Sequence, residues 1–302
     1  MEFESIGYKN KINEDLFIYK EEKDIGLYAI IDGHGGIKEE NKYVNYIKEN
    51  LFKISFPYFN KMEFKEIEEQ HKYIEDALLK IFKELEENGK DIDHGVCMSL
   101  LIKYKYNNNK YVAVAQVGDC GIILFPLESK KILNYNDYLL IKPHRLSKFA
   151  NVNGLENSSI ETNEIERERV KKDGGIYGYC SPFDGSIRIG YCYEPSRTLG
   201  DNKDKIYIKG FTAVPEIIHK QIINENIICF YTDGIEDLRI YRNNGTFDDI
   251  TYSLDVKKII KFIKKINKKK SNKKLDLKFI LDKIMNYTKY NQDDRTFAIM
   301  MV

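Results

Sequence analysis

The sequence predicts an α+β fold, a four-layer α-β-β-α sandwich in which two antiparallel sheets are flanked by helices. Three observations carry this expectation. Apolar runs of strand length stand on both sides of paired helical stretches, which suits sheets covered by helical layers. Two of those runs are joined by a short asparagine turn, the mark of an antiparallel hairpin. Neither an internal repeat nor a linker interrupts the 302 residues, so 1–302 is expected to form a single domain.

Residues 16–19 and 26–31 are the first strand-like runs, and the second leads into Asp32 and the turn Gly33-His34-Gly35-Gly36. Residues 37–54 carry Tyr43, Ile47 and Leu51 at helical spacing. Residues 64–85 do the same with Ile67, Ile74, Leu78, Ile81, Phe82 and Leu85, and both stretches have a charged opposite face. Strands follow at 96–104, 111–117 and 122–125, with Asn107-Asn108-Asn109 turning between the first two. Residues 129–168 are polar and irregular, with a loop insertion at about 145–168. A short helix over 165–172 stops at Gly174-Gly175, and a flap-like segment covers about 176–210. Further strands are expected near 186–192, 206–214 and 227–232, then a loop over 240–254 with a turn at Asn243-Asn244-Gly245. Helices at 255–268 and 275–290 flank the lysine-rich run 268–274. That run suits a basic recognition patch or a solvated connection, and a solvated connection is the commoner role of such a run. The apolar residues 296–302 close the chain as a buried strand.

Composition removes several classes of function. Forty-eight basic residues balance 47 acidic ones, whereas a nucleic-acid protein needs a broad basic excess, so no nucleic-acid partner is expected. No apolar run approaches the ~20 residues that span a bilayer. The N-terminus has neither a signal-peptide pattern nor a myristoylation start, so no membrane partner is expected. The five cysteines lack C-x-x-C spacing and are odd in number, which fits neither zinc nor a disulfide framework. Reduced thiols in the cytoplasm or nucleus are the expectation, and the chain is expected to be a monomer.

The chemistry is concentrated where apolar strands meet acids. Residues 29–31 run into Asp32, residues 114–117 into Gly118-Asp119, and residues 228–232 into Asp233-Gly234 with Asp237 four residues beyond Asp233. Asn13-Glu14-Asp15 precedes one strand and Asp293-Asp294 another. A single Asp-Gly is usually a turn. Five acidic clusters from distant segments point instead to a shared cation, because an acid at the mouth of a buried strand is costly unless paired or metal-bound. Converging carboxylates repel one another unless cations neutralise them, and oxygen-only ligands select Mg²⁺ or Mn²⁺. Two such ions ~3.5–4 Å apart activate a water and clamp a phosphoryl group.

In order along the chain, Asn13-Glu14-Asp15, Asp32 to Gly36, Val117-Gly118-Asp119, Gly174-Gly175, Ser196-Arg197-Thr198-Leu199-Gly200-Asp201, Asp233-Gly234-Ile235-Glu236-Asp237 and Asp293-Asp294-Arg295-Thr296 resemble the motifs of the metal-dependent protein phosphatases, the type 2C serine/threonine phosphatases. The resemblance implies hydrolysis of phosphoserine or phosphothreonine in phosphoprotein substrates by a metal-bridged hydroxide, with no covalent phosphoenzyme. It implies two Mg²⁺ or Mn²⁺ ions and a weaker third. Asp32 would bridge the two ions. Asp233 and Asp293 would hold one of them, and the Gly33 carbonyl the other, with Glu14 and Asp15 reaching it directly or through water. Asp119, Asp233 and Asp237 would form the weaker site. His34 would protonate the leaving oxygen. A second match to the last motif, Asp248-Asp249-Ile250-Thr251, is set aside because no buried strand follows it.

The sequence also departs from the family pattern. Where the family carries a phosphate-gripping arginine stands Asn10, between Lys9 and Lys11. G-D-S-R is Gly118-Asp119-Cys120-Gly121, G-[ST]-[TS]-A is Gly95-Val96-Cys97-Met98, and D-H-K-P is Lys142-Pro143-His144-Arg145. The alternative to an active phosphatase is therefore a pseudophosphatase, a binding or scaffolding protein with the fold but no turnover. The retained acids argue for the enzyme, and Asn10 argues for the scaffold.

Overall fold

A computed structural model describes residues 2–8, 14–35, 41–60, 63–127, 138–146, 164–179, 187–223, 225–236, 240–241, 247–248, 256–269, 275–287 and 294–302. The elements run β1 Glu2–Tyr8, β2 Asp15–Glu22, β3 Ile25–His34, α1 Lys42–Ser55, α2 Ile67–Asn88, β4 Gly95–Tyr106, β5 Asn109–Val117, β6 Gly121–Pro126 and α3 Glu164–Lys172. There follow β7 Tyr177–Tyr179, β8 Ile187–Ile189, β9 Leu199–Gly200, α4 Asn202–Tyr207, β10 Glu216–Ile222, β11 Asn226–Tyr231 and α5 Asp233–Glu236. The chain closes with β12 Ile240–Tyr241, β13 Phe247–Asp248, α6 Val256–Lys269, α7 Leu277–Tyr287 and β14 Arg295–Met301.

Two antiparallel sheets organise these elements. One has the order β10-β5-β4-β3-β2, with β9 paired to the start of β4; the other has the order β1-β14-β11-β6. Side-chain alternation sorts each strand between two layers. In β3, Leu27, Ala29 and Ile31 join the core formed with Tyr43, Ile47 and Leu51 of α1 and Ile74, Leu78 and Phe82 of α2. The alternate residues Tyr28 and Ile30 join a core with Ile122 and Leu124 of β6, Ile228 and Phe230 of β11, and Ala298 and Met300 of β14. The opposite faces of β11 and β14 pack on Ile259, Ile263, Ile280 and Ile284 of α6 and α7. The β4–β5 hairpin turns at Asn107 and Asn108, both at positive φ, between the paired Tyr106 and Asn109.

Four expectations need correction. The strand expected at 206–214 is absent: α4 runs to Tyr207, Gly210 follows at positive φ, and the strand forms at β10 instead. Ile206, Tyr207 and Ile208 have β-formers' side chains, but Ile206 and Tyr207 are largely exposed on a short helix, so composition misled. The stretch 240–254, read as a loop, contains the paired β12 and β13. Strand β3 does not end at Ile31 but runs through Asp32 and Gly33 to His34, paired with β4. The first helix, expected from 37, begins at the cap Asn41, whose side chain accepts hydrogen bonds from the Tyr43 and Val44 amides; residues 37–40 lie outside the described set.

Candidate active site

The alternation that fills the layer between the sheets also builds the site. Tyr28 and Ile30 face the opposite sheet, and Asp32 and His34 continue the same row where β3 emerges from the core. Asp15, at the start of β2, is the direct cross-strand partner of Asp32, and Cys97 is its partner on β4. In the other sheet, β11 ends at Tyr231, so that Thr232 and Asp233 arrive at the same mouth. The Thr232 hydroxyl donates to Asp15 Oδ2 at 2.5 Å, which ties the two sheets together there. Thr232 N also donates to Thr296 O and Thr296 N to Thr232 Oγ1, fixing the start of β14 beside them.

Three of the expected acids meet. One carboxylate oxygen from each of Asp32, Asp119 and Asp233 lies within 4.8 Å of the others. Asp119 is buried and the other two are half-buried. Gly118 delivers Asp119: its φ is +84°, and a Cβ there would lie 2.2 Å from Cys97 Sγ. An all-oxygen donor set this close fits a hard divalent cation, so the residues present suit the Mg²⁺ or Mn²⁺ that the sequence implies. Glu14 stands beside the cluster, its carbonyl accepting from Gly33 N at 3.0 Å and its amide donating to Asp294 Oδ2 at 3.0 Å. Gly33 itself lies within the β3–β4 ladder opposite Val96. Asp237, Asp293, Asn10, Lys9 and Lys11, and the rejected Asp249, lie outside the described residues.

His34 is held by a partner that the sequence reading left without a role. Its Nε2 lies 2.7 Å from Asp201 Oδ2, and the Thr198 hydroxyl donates to the same oxygen at 2.8 Å. Burial alone would raise the Asp201 carboxyl, but its bonds to His34 and Thr198 hold it below its usual value. Asp201 has a left-handed backbone and precedes α4, yet makes no side-chain cap, because its carboxylate is committed to His34 and Thr198. Gly95 leaves the space for this pair: a Cβ there would lie 2.0 Å from Asp201 Oδ2 and 2.5 Å from His34 Nε2.

The S-R-T-L-G-D segment that carries Asp201 is anchored by a buried acid from α3. Glu166 is 1% exposed and accepts from the Ser196 hydroxyl at 2.6 Å, Arg197 Nη2 at 2.7 Å and Arg169 Nη2 at 2.6 Å. Arg145 is a second residue that sequence reasoning missed. Its Nε donates to Asp119 Oδ2 at 2.7 Å and its Nη2 to Asp233 Oδ2 at 2.9 Å. Burial pushes the Asp119 carboxyl up, but the Arg145 guanidinium prevails and holds it below the usual carboxylate range. Cys97, Cys120, Cys192 and Cys229 are free thiols, and burial pushes Cys97 and Cys120 well above the ordinary thiol range, which leaves them poor nucleophiles.

The two antiparallel sheets thus deliver acids from both sides to one mouth, Asp32 from one sheet and Asp233 from the other. The comparison with known families supplies the assignment: residues 1–239 match Protein phosphatase 2C, and the chain belongs to that family. It is 27% identical over 248 residues to probable protein phosphatase 2C 52 of Oryza sativa subsp. japonica, covering 78% of this chain and 42% of that protein. The chain spans under half the length of the curated relatives it matches. Among solved structures, a C. elegans sex determining protein superposes with a TM-score of 0.66 at 16% identity, over 99% of this chain and 64% of the other. The serine-threonine phosphatase 2C of Toxoplasma gondii gives 0.62 at 13% identity, over 98% and 93%. These two likenesses show the fold. Among the described residues, no helix is long and apolar enough to cross a membrane.

Proposed function

We propose that the chain hydrolyses phosphoserine and phosphothreonine in phosphoproteins, with water as the nucleophile and divalent cations held by its aspartates. The observation that carries this reading is the convergence of Asp32 and Asp233, from the two sheets, within 4.8 Å, with His34 two residues from Asp32 on the same face of β3. Asp32, Asp233 and Asp293, with the Gly33 carbonyl and the Glu14-Asp15 pair, are the residues that would hold two ions. Mg²⁺ or Mn²⁺ bound there lowers the pKa of a water and neutralises phosphate oxygens.

The rest is done by side chains of this protein. Asp201, itself fixed by Thr198, orients the His34 ring and balances its charge when protonated. His34 gives its proton to the departing serine or threonine oxygen, a poor leaving group that needs one. Lys9, Asn10 and Lys11 occupy the segment in which the family's phosphate-binding arginine stands, so phosphate capture depends more on the cations here. We read 1–302 as one catalytic domain, with an insertion at about 145–168 and a flap at about 176–210, acting as a monomer in the cytoplasm or nucleus. The scaffold alternative gains nothing from the family match or from the acids that the site retains.

The test is phosphate release from a phosphothreonine peptide by the purified chain, with Mn²⁺ and after exhaustive chelation. Release with Mn²⁺ that stops on chelation supports the reading. Folded protein that binds Mn²⁺ yet releases no phosphate from several such peptides would restore the scaffold alternative.

A further inference from the structure

Arg145 lies between Asp119 and Asp233. It is 2% exposed, and its planar guanidinium spans Asp119 Oδ2 at 2.7 Å and Asp233 Oδ2 at 2.9 Å. Those are two of the three acids to which the family resemblance assigns the weaker site. Glu194 Oε1 lies 3.7 Å from the same Nε, adding a further negative group around the fork. A guanidinium does not lose its proton at any pH a protein tolerates, so it cannot vacate its charge to admit a metal.

The backbone fixes this placement. His144 N donates to Gly118 O at 3.0 Å, and Gly118 N donates to His144 Nδ1 at 3.1 Å. On the other side, Ser196 N donates to His144 O at 2.9 Å, and Arg145 forms a β-bridge with Pro195. Arg145 is thus stitched between the turn that carries Asp119 and the segment that leads to Asp201. A divalent ion ~4 Å from this charge would be disfavoured by roughly thirtyfold even at the dielectric constant of water.

We propose that Arg145 is a built-in cation that takes the place of the third metal ion between Asp119 and Asp233. It neutralises Asp119 and one oxygen of Asp233, and the cations proposed above are then the two ions alone. The metal requirement of the chain then ends with those ions, and turnover shows no low-affinity metal phase. This consequence for turnover rests on the phosphatase reading, whereas the placement of charge does not.

The experiment counts Mn²⁺ ions bound per chain by equilibrium dialysis and metal analysis. The full chain is compared with Asp119→Asn, Arg145→Met and the double variant, each checked for folding by circular dichroism. Wild type and Asp119→Asn should bind the same number of ions. Arg145→Met should bind one more, weakly, and the double variant should lose it again. Loss of an ion on Asp119→Asn alone would overturn the proposal, as would a folded Arg145→Met that gains none. Should Arg145→Met fail to fold, wild type against Asp119→Asn decides the matter. Failure of the phosphatase reading has a different signature: no phosphate release, with these ion counts unaltered.

Discussion

Glu166→Ala is expected to be among the most damaging substitutions in the chain outside the acid cluster. The carboxylate lies at 1% exposure and accepts hydrogen bonds from Ser196, Arg197 and Arg169. Its removal leaves Arg197, 8% exposed, without the anion that balances its charge. Breaking a buried ion pair by deleting one partner costs about 3–5 kcal/mol. At roughly 2–4 °C per kcal/mol for a larger domain, the melting temperature should fall by about 6–20 °C. The pH dependence has a definite sign. Burial raises the Glu166 carboxyl, but Arg197 and Arg169 overcome this and hold it far below the usual range. A lowered folded-state value gives stability that is complete above the unfolded value of about 4.3 and is lost as pH falls toward the lowered one. The gap between wild type and variant should therefore be full at neutral pH and narrow in acid. Thermal melts followed by circular dichroism from pH 7 to about pH 3 measure both effects. A melting temperature within about 2 °C of wild type at pH 7 would refute the reasoning, since no buried anion could then be balancing Arg197.

Gly95→Ala should place a methyl against Asp201 and His34, costing about 1–3 kcal/mol through overpacking and slowing peptide dephosphorylation at least tenfold; steady-state kinetics and melts check it, and unchanged kinetics would mean that the pair is not needed. His34→Gln should slow a phosphothreonine peptide by roughly 10²–10⁴-fold and p-nitrophenyl phosphate far less, because the nitrophenolate leaves without a proton; equal slowing would make His34 structural. Asp293→Ala should inactivate the chain and Asp249→Ala should not, measured by Mn²⁺-dependent phosphate release; the reverse result would mean that the wrong acid pair was chosen.

The sheets were legible in the sequence where local signals were strong. The β4–β5 hairpin announced itself through Asn107 and Asn108, which take the positive φ that such a turn requires. β11 and β14 read as strands because they are buried on both faces and so are almost wholly apolar. β1 and β10 carry no such signal. The apolar residues of β1, Phe3, Ile6 and Tyr8, keep no single parity, and β10 is an edge strand bearing His219, Lys220 and Gln221. The acids Asp32, Asp119 and Asp233 were legible because each follows an apolar run, so their positions needed only the strand pattern. Arg145 and Glu166 carry no such mark. Arg145 is 26 residues from Asp119 and 88 from Asp233, and Glu166 is 31 from Arg197, so these pairs exist only once the chain has folded. Asp201 could have been suspected from its place at the end of S-R-T-L-G-D, but its bond to His34 spans 167 residues.

The central claim is that the converging aspartates form a divalent-cation centre on which phosphate hydrolysis depends. The most direct measurement is a Mn²⁺ titration of wild type and Asp32→Ala, following melting temperature and phosphate release together. Binding to the folded state alone stabilises by about 2.7 kcal/mol at a hundred times the dissociation constant. Wild type should therefore gain melting temperature and activity over the same range of Mn²⁺ concentration, and Asp32→Ala should gain neither. An Asp32→Ala chain that keeps both the Mn²⁺-dependent stabilisation and the turnover would contradict the account.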